Sequence, residues 1–315
     1  MGLTNFPNGI SSFGIPVFGP SVGNSQLLVP EALFVDTVNG VDAGPGNSPT
    51  GAYKTLTYAI SRAVANAFIF VLAGSAITVS SATALEISTA GLKIIGQGSG
   101  TARPTVTFDT ATTATIAVSA ANVMFQNMIF TANFADIVAA FTLTTAPSFT
   151  LSGCYIKATA TNMNFLNVVD TSTSDNAADG LTLVDNLWIE PDTATLSMVK
   201  ADADIARLTM LRNFVQLGVN NNKSALLILA TGKDATQLNM GYNTVFRLNT
   251  DTATGAILAS TDTSANSGLV YGNFVQHADT AAELLITASA GWGTFQNYAS
   301  GVVGASGFLL PAADS

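Results

Sequence analysis

Carboxylates are the side chains of this sequence best suited to chemistry. The 315-residue chain has 20 Asp and Glu residues but only one His and one Cys. One set of carboxylates surrounds the longest interval of a repeated phrase described below: Asp170, Asp175, Asp179, Asp185, Glu190 and Asp192. A second set precedes that phrase in three later repeats: Asp202, Asp234 and Asp262. Glycan hydrolysis needs two carboxylates roughly 5 to 10 Å apart, and stacked strands lie about 4.8 Å apart. Either set could therefore form a hydrolytic site or a calcium site.

The other reactive residues do not combine into a site. His277 stands beside Asp279 and is expected on a solvated turn, and one His with one Cys excludes a zinc site of nitrogen and sulfur ligands. Cys154 occupies an apolar position of a repeat, which predicts a small buried hydrophobe rather than a reactive thiol. Residues 19–23 match a nucleophile elbow in letters only, and residues 96–100 lack the spacing of a dinucleotide-binding loop. We predict no catalytic, metal-binding or cofactor-binding residue.

A short phrase repeats along the chain and sets the framework that must position these side chains. It consists of a polar residue, then Asn, then two apolar residues. Its Asn slot is filled by Asn127, Gly153, Asn186, Asn213, Asn243, Asn273 and Asn297, at intervals of 26, 33, 27, 30, 30 and 24 residues. A second apolar run lies between successive phrases, and no repeat has the amphipathic pattern of a helical array. A recurrence of this period indicates a solenoid.

The strand-rich repeats favour a parallel β-helix, in which each repeat forms one coil and its strands stack on the strands of the next coil. Asn tolerates the left-handed turn conformation, and stacked Asn amides can form hydrogen bonds along a column. Gly153 suits the same slot because Gly also accepts that backbone. The alternative is an ordinary β-sandwich with coincidental spacing. We predict an all-β chain with a parallel β-helix over residues 34–303.

Charge is scarce in this chain. Charged residues make up 10% of it, against about 25% in typical soluble domains, and no apolar run reaches the ~18 residues of a membrane helix. The net charge of −9 and the scattered Lys and Arg residues argue against nucleic acid. A charge-poor surface is easier to explain if partner subunits cover part of it. We expect a homo-oligomer, with a trimer favoured, and neither nucleic acid nor a membrane as partner.

The two ends of the chain differ from the repeats. Residues 1–33 combine Gly and Pro, which break regular structure, with too many apolar residues for a solvated linker. This combination predicts an extended arm that becomes ordered against another protein surface, and the alternative is a disordered tail. The opening residues lack the basic region of a signal peptide. The C-terminal tail, residues 304–315, ends with an apolar run at 308–311, which favours a docking or capping strand over an exposed binding tip.

One stretch of the chain resembles a known family. Residues 34–42 read as a strand ending in Val-Asp, followed by an Asx-rich turn with Asp36 and Asp42 that needs no bound ion. Residues 54–63 read Lys-Thr-Leu and then Ala-Ile-x-x-Ala with helical spacing, and residues 91–98 end in Gly-x-Gly. These motifs resemble the opening coils of right-handed parallel β-helix proteins of the pectate-lyase-like class. The resemblance implies a right-handed solenoid whose open core is covered by a short N-terminal capping helix.

The function that we predict from the sequence as a whole is structural. The pectate-lyase-like class includes lyases, hydrolases, adhesins and virion proteins, so the fold alone does not choose. Elimination at a calcium site also needs a cationic base, and only Lys200, Arg207 and Arg212 are close to the first carboxylate set. Residues 3–14 resemble the start of structural proteins from tailed bacteriophages. We predict a virion protein on the particle exterior, a capsid decoration or cementing protein that binds the major capsid protein or another virion protein through its arm. The alternative is a tailspike or receptor-binding fibre with glycan-binding or depolymerase activity.

Overall fold

In a computed structural model the chain divides into two compact units, residues 1–31 and 32–315. The structure describes residues 31–171, 173–191, 197–218, 226–247, 265–276 and 291–300. It also gives the backbone of five short strands, Ile10–Ser12, Ile15–Phe18, Leu258–Ala259, Ile286–Thr287 and Gly307–Phe308. Asp192, Asp262, His277 and Asp279, and most of the predicted arm and tail, lie outside the described residues.

Three long sheets form the second unit. The first has ten parallel strands, Ala32–Val35, Phe68–Val71, Lys93–Gly96, Met124–Gln126, Thr150–Ser152, Thr182–Val184, Thr209–Leu211, Leu238–Gly241, Gly268–Tyr271 and Trp292–Phe295. The second has ten strands, Ala76–Val79, Thr105–Phe108, Ile129–Ala132, Tyr155–Ala158, Leu187–Glu190, Phe214–Leu217, Thr244–Arg247, Phe274–Gln276, Tyr298–Ser300 and, antiparallel to the last, Gly307–Phe308. The third has eight parallel strands, Leu85–Ile87, Ile116–Val118, Ile137–Leu143, Phe165–Thr171, Ser197–Ala201, Leu227–Leu229, Leu258–Ala259 and Ile286–Thr287.

The chain passes through the three sheets in the same order in every coil, which confirms the predicted right-handed parallel β-helix. Eight successive coils, beginning with Phe68–Val71, each add one strand to each sheet, so strands stack in register with their counterparts one repeat earlier; Phe125, for example, pairs with Ile94 and Leu151. A small extra pair, Ile205–Ala206 with Ala235–Thr236, extends two of the coils. Alternate residues of most strands are buried, as a sheet with one face on the core requires.

The core runs along the inside of the three sheets and is apolar through most of its length. In the middle coils it contains a cluster of phenylalanine rings, in which Phe141 lies 5.1, 4.9 and 5.2 Å from Phe125, Phe130 and Phe149 between ring centroids. These rings are fully buried. Coils of similar size thus bury a continuous column of side chains, which none of them could bury alone.

The predicted capping helix is confirmed as Leu56–Arg62. Its N-cap is Thr55, whose hydroxyl accepts a hydrogen bond from the Tyr58 amide at 3.2 Å. The Asp42 carboxylate in turn accepts bonds from the amides of Lys54 and Thr55, both at 2.9 Å. Leu56, the first helical residue, is 1% exposed and packs on the core. Two short 3-10 helices, Pro49–Gly51 and Gly100–Ala102, complete the first coils.

From the strand Met124–Gln126 onward, the turn that joins the first sheet to the second is two residues long. Its first residue is left-handed in every case, with φ between 52° and 61° at Asn127, Gly153, Asp185, Arg212, Tyr242, Gly272 and Gln296. Its second residue is Met128, then Cys154, and then Asn186, Asn213, Asn243, Asn273 and Asn297. The predicted Asn column is therefore correct for five coils and wrong by one residue for Asn127 and Gly153, which occupy the left-handed position instead.

The five aligned Asn side chains form a buried hydrogen-bonded ladder. From Asn213 onward, each side-chain oxygen accepts hydrogen bonds from the backbone amide and the side-chain amide of the preceding Asn. For Asn243 accepting from Asn213 these distances are 2.9 and 3.0 Å. Each side-chain nitrogen also donates to a carbonyl of the preceding coil, as Asn243 does to Met210 at 2.9 Å. The oxygen of Asn186, the first Asn of the ladder, accepts a hydrogen bond from the backbone amide of Cys154 at 3.0 Å. The amides satisfy one another without water, which a buried polar column requires.

The structure describes a part of each chain end. Within residues 1–31, Ile10–Ser12 pairs antiparallel with Ile15–Phe18. At the other end, Gly307–Phe308 pairs antiparallel with Tyr298–Ser300, so this part of the predicted tail forms a strand on the second sheet. Among the described residues, no helix is long and apolar enough to cross a membrane.

Candidate functional site

On the third sheet, within the residues that the structure describes, two predicted carboxylates meet one cation. Asp170 and Lys200 are register partners on neighbouring strands of this sheet. Lys200 Nζ lies 2.6 Å from Asp202 Oδ2 and 3.8 Å from Asp170 Oδ1. The Asp202 amide is held by the hydroxyl of Thr171, at 3.2 Å. Strand stacking therefore brings together side chains that are 30 residues apart in the chain.

Burial gives the Asp170 carboxyl an unusual proton affinity. Its side chain is 14% exposed, and Oδ1 accepts no hydrogen bond from the described residues. Burial raises the pKa of Asp170 from its ordinary 3.8 to about 6; the Lys200 charge opposes this rise, and the neighbouring Asp202 adds to it. For Lys200, burial disfavours the charged form, but Asp202 and Asp170 outweigh it and the pKa of Lys200 is raised. One carboxyl that titrates near neutral pH thus lies beside a second carboxylate.

A shallow cavity lies on the same sheet next to this cluster. Its volume is about 270 Å³, and it is lined by small side chains that include Thr115, Ala117 and Thr142. Thr142 is the register partner of Asp170, so the cavity and the carboxyl occupy adjacent coils. The lining contains no aromatic ring. The cavity offers room, but neither Asp170 nor Asp202 lines it, and it lacks the flat apolar surface on which sugar rings usually pack.

The other members of the first carboxylate set that the structure describes do not join Asp170. Asp175 and Asp179 lie in turns, where Asp175 binds Lys233 at 2.8 Å and Asp179 binds Arg207 at 3.4 Å. Asp185 lies in the turn between the first and second sheets and pairs with Arg212 at 2.7 Å. Glu190 is fully buried inside the coil beside the indole of Trp188, at 3.3 Å. These carboxylates are close in sequence, but they lie at different parts of the coil, and Glu190 lies inside it.

The second set also has a different alignment from the predicted one. Asp234 stacks on Asp204, whose carboxylate accepts the Asp234 amide at 3.1 Å, and Asp204 stacks likewise on Asp175 at 3.0 Å. Asp202 is not part of this column. Asp204 and Asp234 both precede the Asn of their coil by nine residues, whereas Asp202 precedes it by eleven, so the prediction failed because it accepted unequal spacings.

Two further predicted positions have a structural role. Cys154 is 1% exposed, and burial raises the pKa of its thiol to about 12, as expected for a buried hydrophobe. The Asp36 carboxylate accepts bonds from the amides of Val38 and Asn39 within its own turn, at 2.9 and 3.1 Å. In the part of the chain that the structure describes, no three His, Cys, Asp or Glu side chains lie close enough to hold a metal ion.

Sequence reasoning placed Asp170 and Asp202 in separate sets and missed their shared contact with Lys200. The usable signal was the spacing of Asp170 and Lys200, one repeat apart, followed by Lys-x-Asp. Strand register had to be known before that spacing could be read as contact.

Comparisons with known proteins bear on the fold of this chain alone. No protein-family model and no curated protein sequence matches it. A rhamnogalacturonan lyase is 9% identical with a TM-score of 0.39, over 89% of this chain and 90% of that one. A pectin methylesterase from Aspergillus niger is 12% identical with a TM-score of 0.44, over 86% of each chain. A lacto-N-biosidase from Eubacterium ramulus is 10% identical with a TM-score of 0.38, over 86% of this chain and 68% of that one.

Proposed function

We propose that the chain is a structural protein of a tailed-bacteriophage particle. In this proposal residues 1–33 dock on the major capsid protein or another virion protein, and the solenoids associate with one another as a trimer on the particle exterior. The best-fitting role is that of a capsid decoration or cementing protein.

The observation that carries this proposal is the lack of charge on two faces of the solenoid. The outward columns of the first and second sheets run from Ala32 and Ala76 to the last coils, and in the described strands their only charged residues are Lys93 and Lys157. Both lysines also lie over aromatic rings, 5.0 Å from Phe68 and 5.6 Å from Tyr155. Surfaces of this size without charge are typical of faces covered by other subunits.

Two further features support the proposal. The ladder of buried Asn side chains and the continuous apolar core give a stiff rod whose backbone is bonded from coil to coil. The arm combines Gly, Pro and apolar residues and resembles the beginning of phage structural proteins in residues 3–14. A stiff rod with a separate apolar arm suits a protein that is anchored at one end.

Quantitative mass spectrometry of purified particles tests this proposal. We expect the chain in particles, at a copy number comparable to that of the major shell protein. A few copies per particle would move the protein from the capsid to the tail. Absence from particles that contain the other structural proteins would show that the virion role is wrong.

The second candidate function is glycan processing at Asp170 and Asp202. It is favoured by one observation, the carboxyl with a pKa of about 6 beside a second carboxylate and a cavity. The wild-type chain and the Asp170→Asn and Asp202→Asn variants would be compared for release of reducing ends from host-surface polysaccharide. Release by the wild type that both substitutions abolish would establish the enzyme reading, and no release by the wild type would leave the structural role.

A further inference from the structure

The exposed apolar side chains of the solenoid concentrate at one corner of its last coils. Five of them are between 37% and 59% exposed: Tyr242, Leu269, Phe274, Phe295 and Tyr298. They lie on both sides of the turns that join the first sheet to the second, with Tyr271 among them. These six residues are called the aromatic corner here. A contiguous exposed apolar patch marks an interaction surface.

The rings of the aromatic corner pack on one another across coils. Tyr271 stacks on Phe295 with centroids 5.2 Å apart and planes 7° from parallel, and it meets Tyr242 edge-on at 5.2 Å. The Tyr271 hydroxyl donates to Asn239 Oδ1 at 3.1 Å, which fixes the ring further. The surface is therefore ordered before any partner binds, which lowers the entropy lost on association.

Three glycines provide the space in which these side chains lie flat. A Cβ at Gly241 would stand 2.5 Å from the Tyr271 ring, and one at Gly272 would stand 2.8 Å from the Tyr242 ring. A Cβ at Gly293 would stand 2.9 Å from Leu269. Each large side chain thus covers a glycine of an adjacent coil. The result is a level apolar surface rather than a row of projecting rings.

A charged pair bounds the aromatic corner in the turns of the earlier coils. At the turn position of Tyr242, the two preceding coils carry Arg212 and Asp185, which pair through two bonds of 2.7 and 2.9 Å. At the outward position of Tyr271, the chain carries Leu211 and Val184 before the first polar side chain. The patch therefore ends at charges in the turns and continues as aliphatic side chains on the first sheet.

The shape and charge of the aromatic corner favour a second copy of this chain as the partner. Small-molecule sites are concave, whereas this patch wraps a corner between two sheets. The chain has a net charge of −9, so two copies repel unless they meet through surfaces without carboxylates, as this one is. Between 37% and 59% of each of five side chains is exposed, which offers ~400 Å², about half of the ~800 Å² that one partner contributes to a standard interface.

The continuation of the patch round the corner permits a cyclic arrangement of copies. Leu269, Tyr271 and Phe295 lie on the first sheet, whereas Phe274 and Tyr298 lie on the second. The first-sheet half of one copy can therefore cover the second-sheet half of its neighbour. Contacts between unlike halves form a closed ring when the rotation closes.

We propose that copies of this chain associate through the aromatic corner, as a cyclic trimer whose contacts lie in the last coils. This inference rests on the proposed self-association of the solenoid and names the surface that makes it.

Sedimentation velocity of the full chain from 1 to 100 µM tests the proposal with a matched pair of variants. Leu269→Glu with Tyr271→Glu introduces two charges into the aromatic corner. Thr150→Glu with Ser152→Glu introduces the same charges in the same two columns, in an earlier coil outside the patch. We expect trimer for the wild type and the Thr150/Ser152 variant, and at least a hundredfold weaker association for the Leu269/Tyr271 variant, with unchanged circular dichroism.

Accessible-thiol labelling provides a second measurement that introduces no charge into the aromatic corner. The buried Cys154 leaves an introduced cysteine as the reactive thiol. We expect the labelling rate of Tyr242→Cys to fall at least tenfold from 1 to 100 µM, and that of Val41→Cys, at a position 60% exposed, to stay constant.

Four outcomes would overturn the inference. A Leu269/Tyr271 variant that remains trimeric, or a Tyr242→Cys rate independent of concentration, would show that copies meet elsewhere. Dissociation by the Thr150/Ser152 variant alone would assign the interface to earlier coils while the self-association stands. A monomeric wild type at 100 µM would remove the interface, but particles that contain the chain would still support the virion role.

Discussion

At the scale of single residues, Asp170 is the side chain with the most unusual chemistry. Its carboxyl is nearly buried, shares one ammonium with Asp202 and has a pKa of about 6. Its sequence neighbourhood gave no hint of this, since other aspartates of the same set are solvated or paired in turns. The difference arises from position, because Asp170 lies within a strand of the third sheet, whereas Asp175, Asp179 and Asp185 lie in turns.

The raised pKa of Asp170 predicts a pH-dependent stability. The folded state holds this proton more tightly than the unfolded chain, so the stabilisation is fully present below about pH 4 and is lost as pH rises through about 6. A shift of about two units corresponds to ~2–3 kcal/mol. Relative to Asp170→Asn, the free energy of unfolding of the wild type should therefore fall by that amount between pH 4 and pH 7, measured by urea unfolding.

The control for this prediction is Lys200→Met. Lys200 lowers the pKa of Asp170, so its removal should move the pH window upward. Parallel pH profiles for the wild type and Asp170→Asn would contradict the assignment of the titration to Asp170.

At the scale of elements, the Asn ladder holds the tight turns of five coils together. Each Asn follows a left-handed residue and points into the coil, where its amide replaces water for the turn backbone. The column ends at Cys154 and Met128, which fill the same position with apolar side chains in coils packed by phenylalanine. The ladder therefore belongs to the later half of the solenoid, beneath the aromatic corner.

Asn243→Ala should destabilise the fold strongly. The side chain accepts two bonds from Asn213 and donates one each to Met210 and Asn273. Their loss leaves several buried polar groups without partners, at about 1–3 kcal/mol each, so we expect a loss of about 3–5 kcal/mol in urea unfolding. Asn39→Ala, an exposed control that bonds only to Asp36 through its amide, should change the free energy of unfolding by less than about 0.5 kcal/mol. Equal effects of the two substitutions would contradict the ladder's role.

At the scale of the whole molecule, the chain consists of two compact units, and the division falls between residues 31 and 32. In the second unit the capping helix Leu56–Arg62 covers the core behind the first strand. The N-terminal end of the solenoid core is thus covered by a helix of the same unit.

Removal of residues 1–30 should therefore leave the solenoid folded and abolish its docking. We expect a circular dichroism spectrum and thermal midpoint close to those of the wild type. The number of subunits in the oligomer should be unchanged, and the shortened chain should not bind to particles that lack the protein. Binding of the shortened chain at wild-type occupancy would show that the solenoid, and not the arm, contacts the particle.

The sequence by itself determined the class of fold, the capping helix and the scarcity of charge. These follow from local spacing, because each coil must present the same alternation of buried and exposed residues as its neighbours. Only the tertiary structure decided the alignment of Asn127 with Gly153 and of Cys154 with Asn186, the meeting of Asp170 with Lys200 and Asp202, and the gathering of aromatic rings at one corner. Repeat lengths vary from 24 to 33 residues, and turns of unequal length absorb that variation. Which side chains meet across coils therefore depends on strand register, which spacing along the chain does not contain.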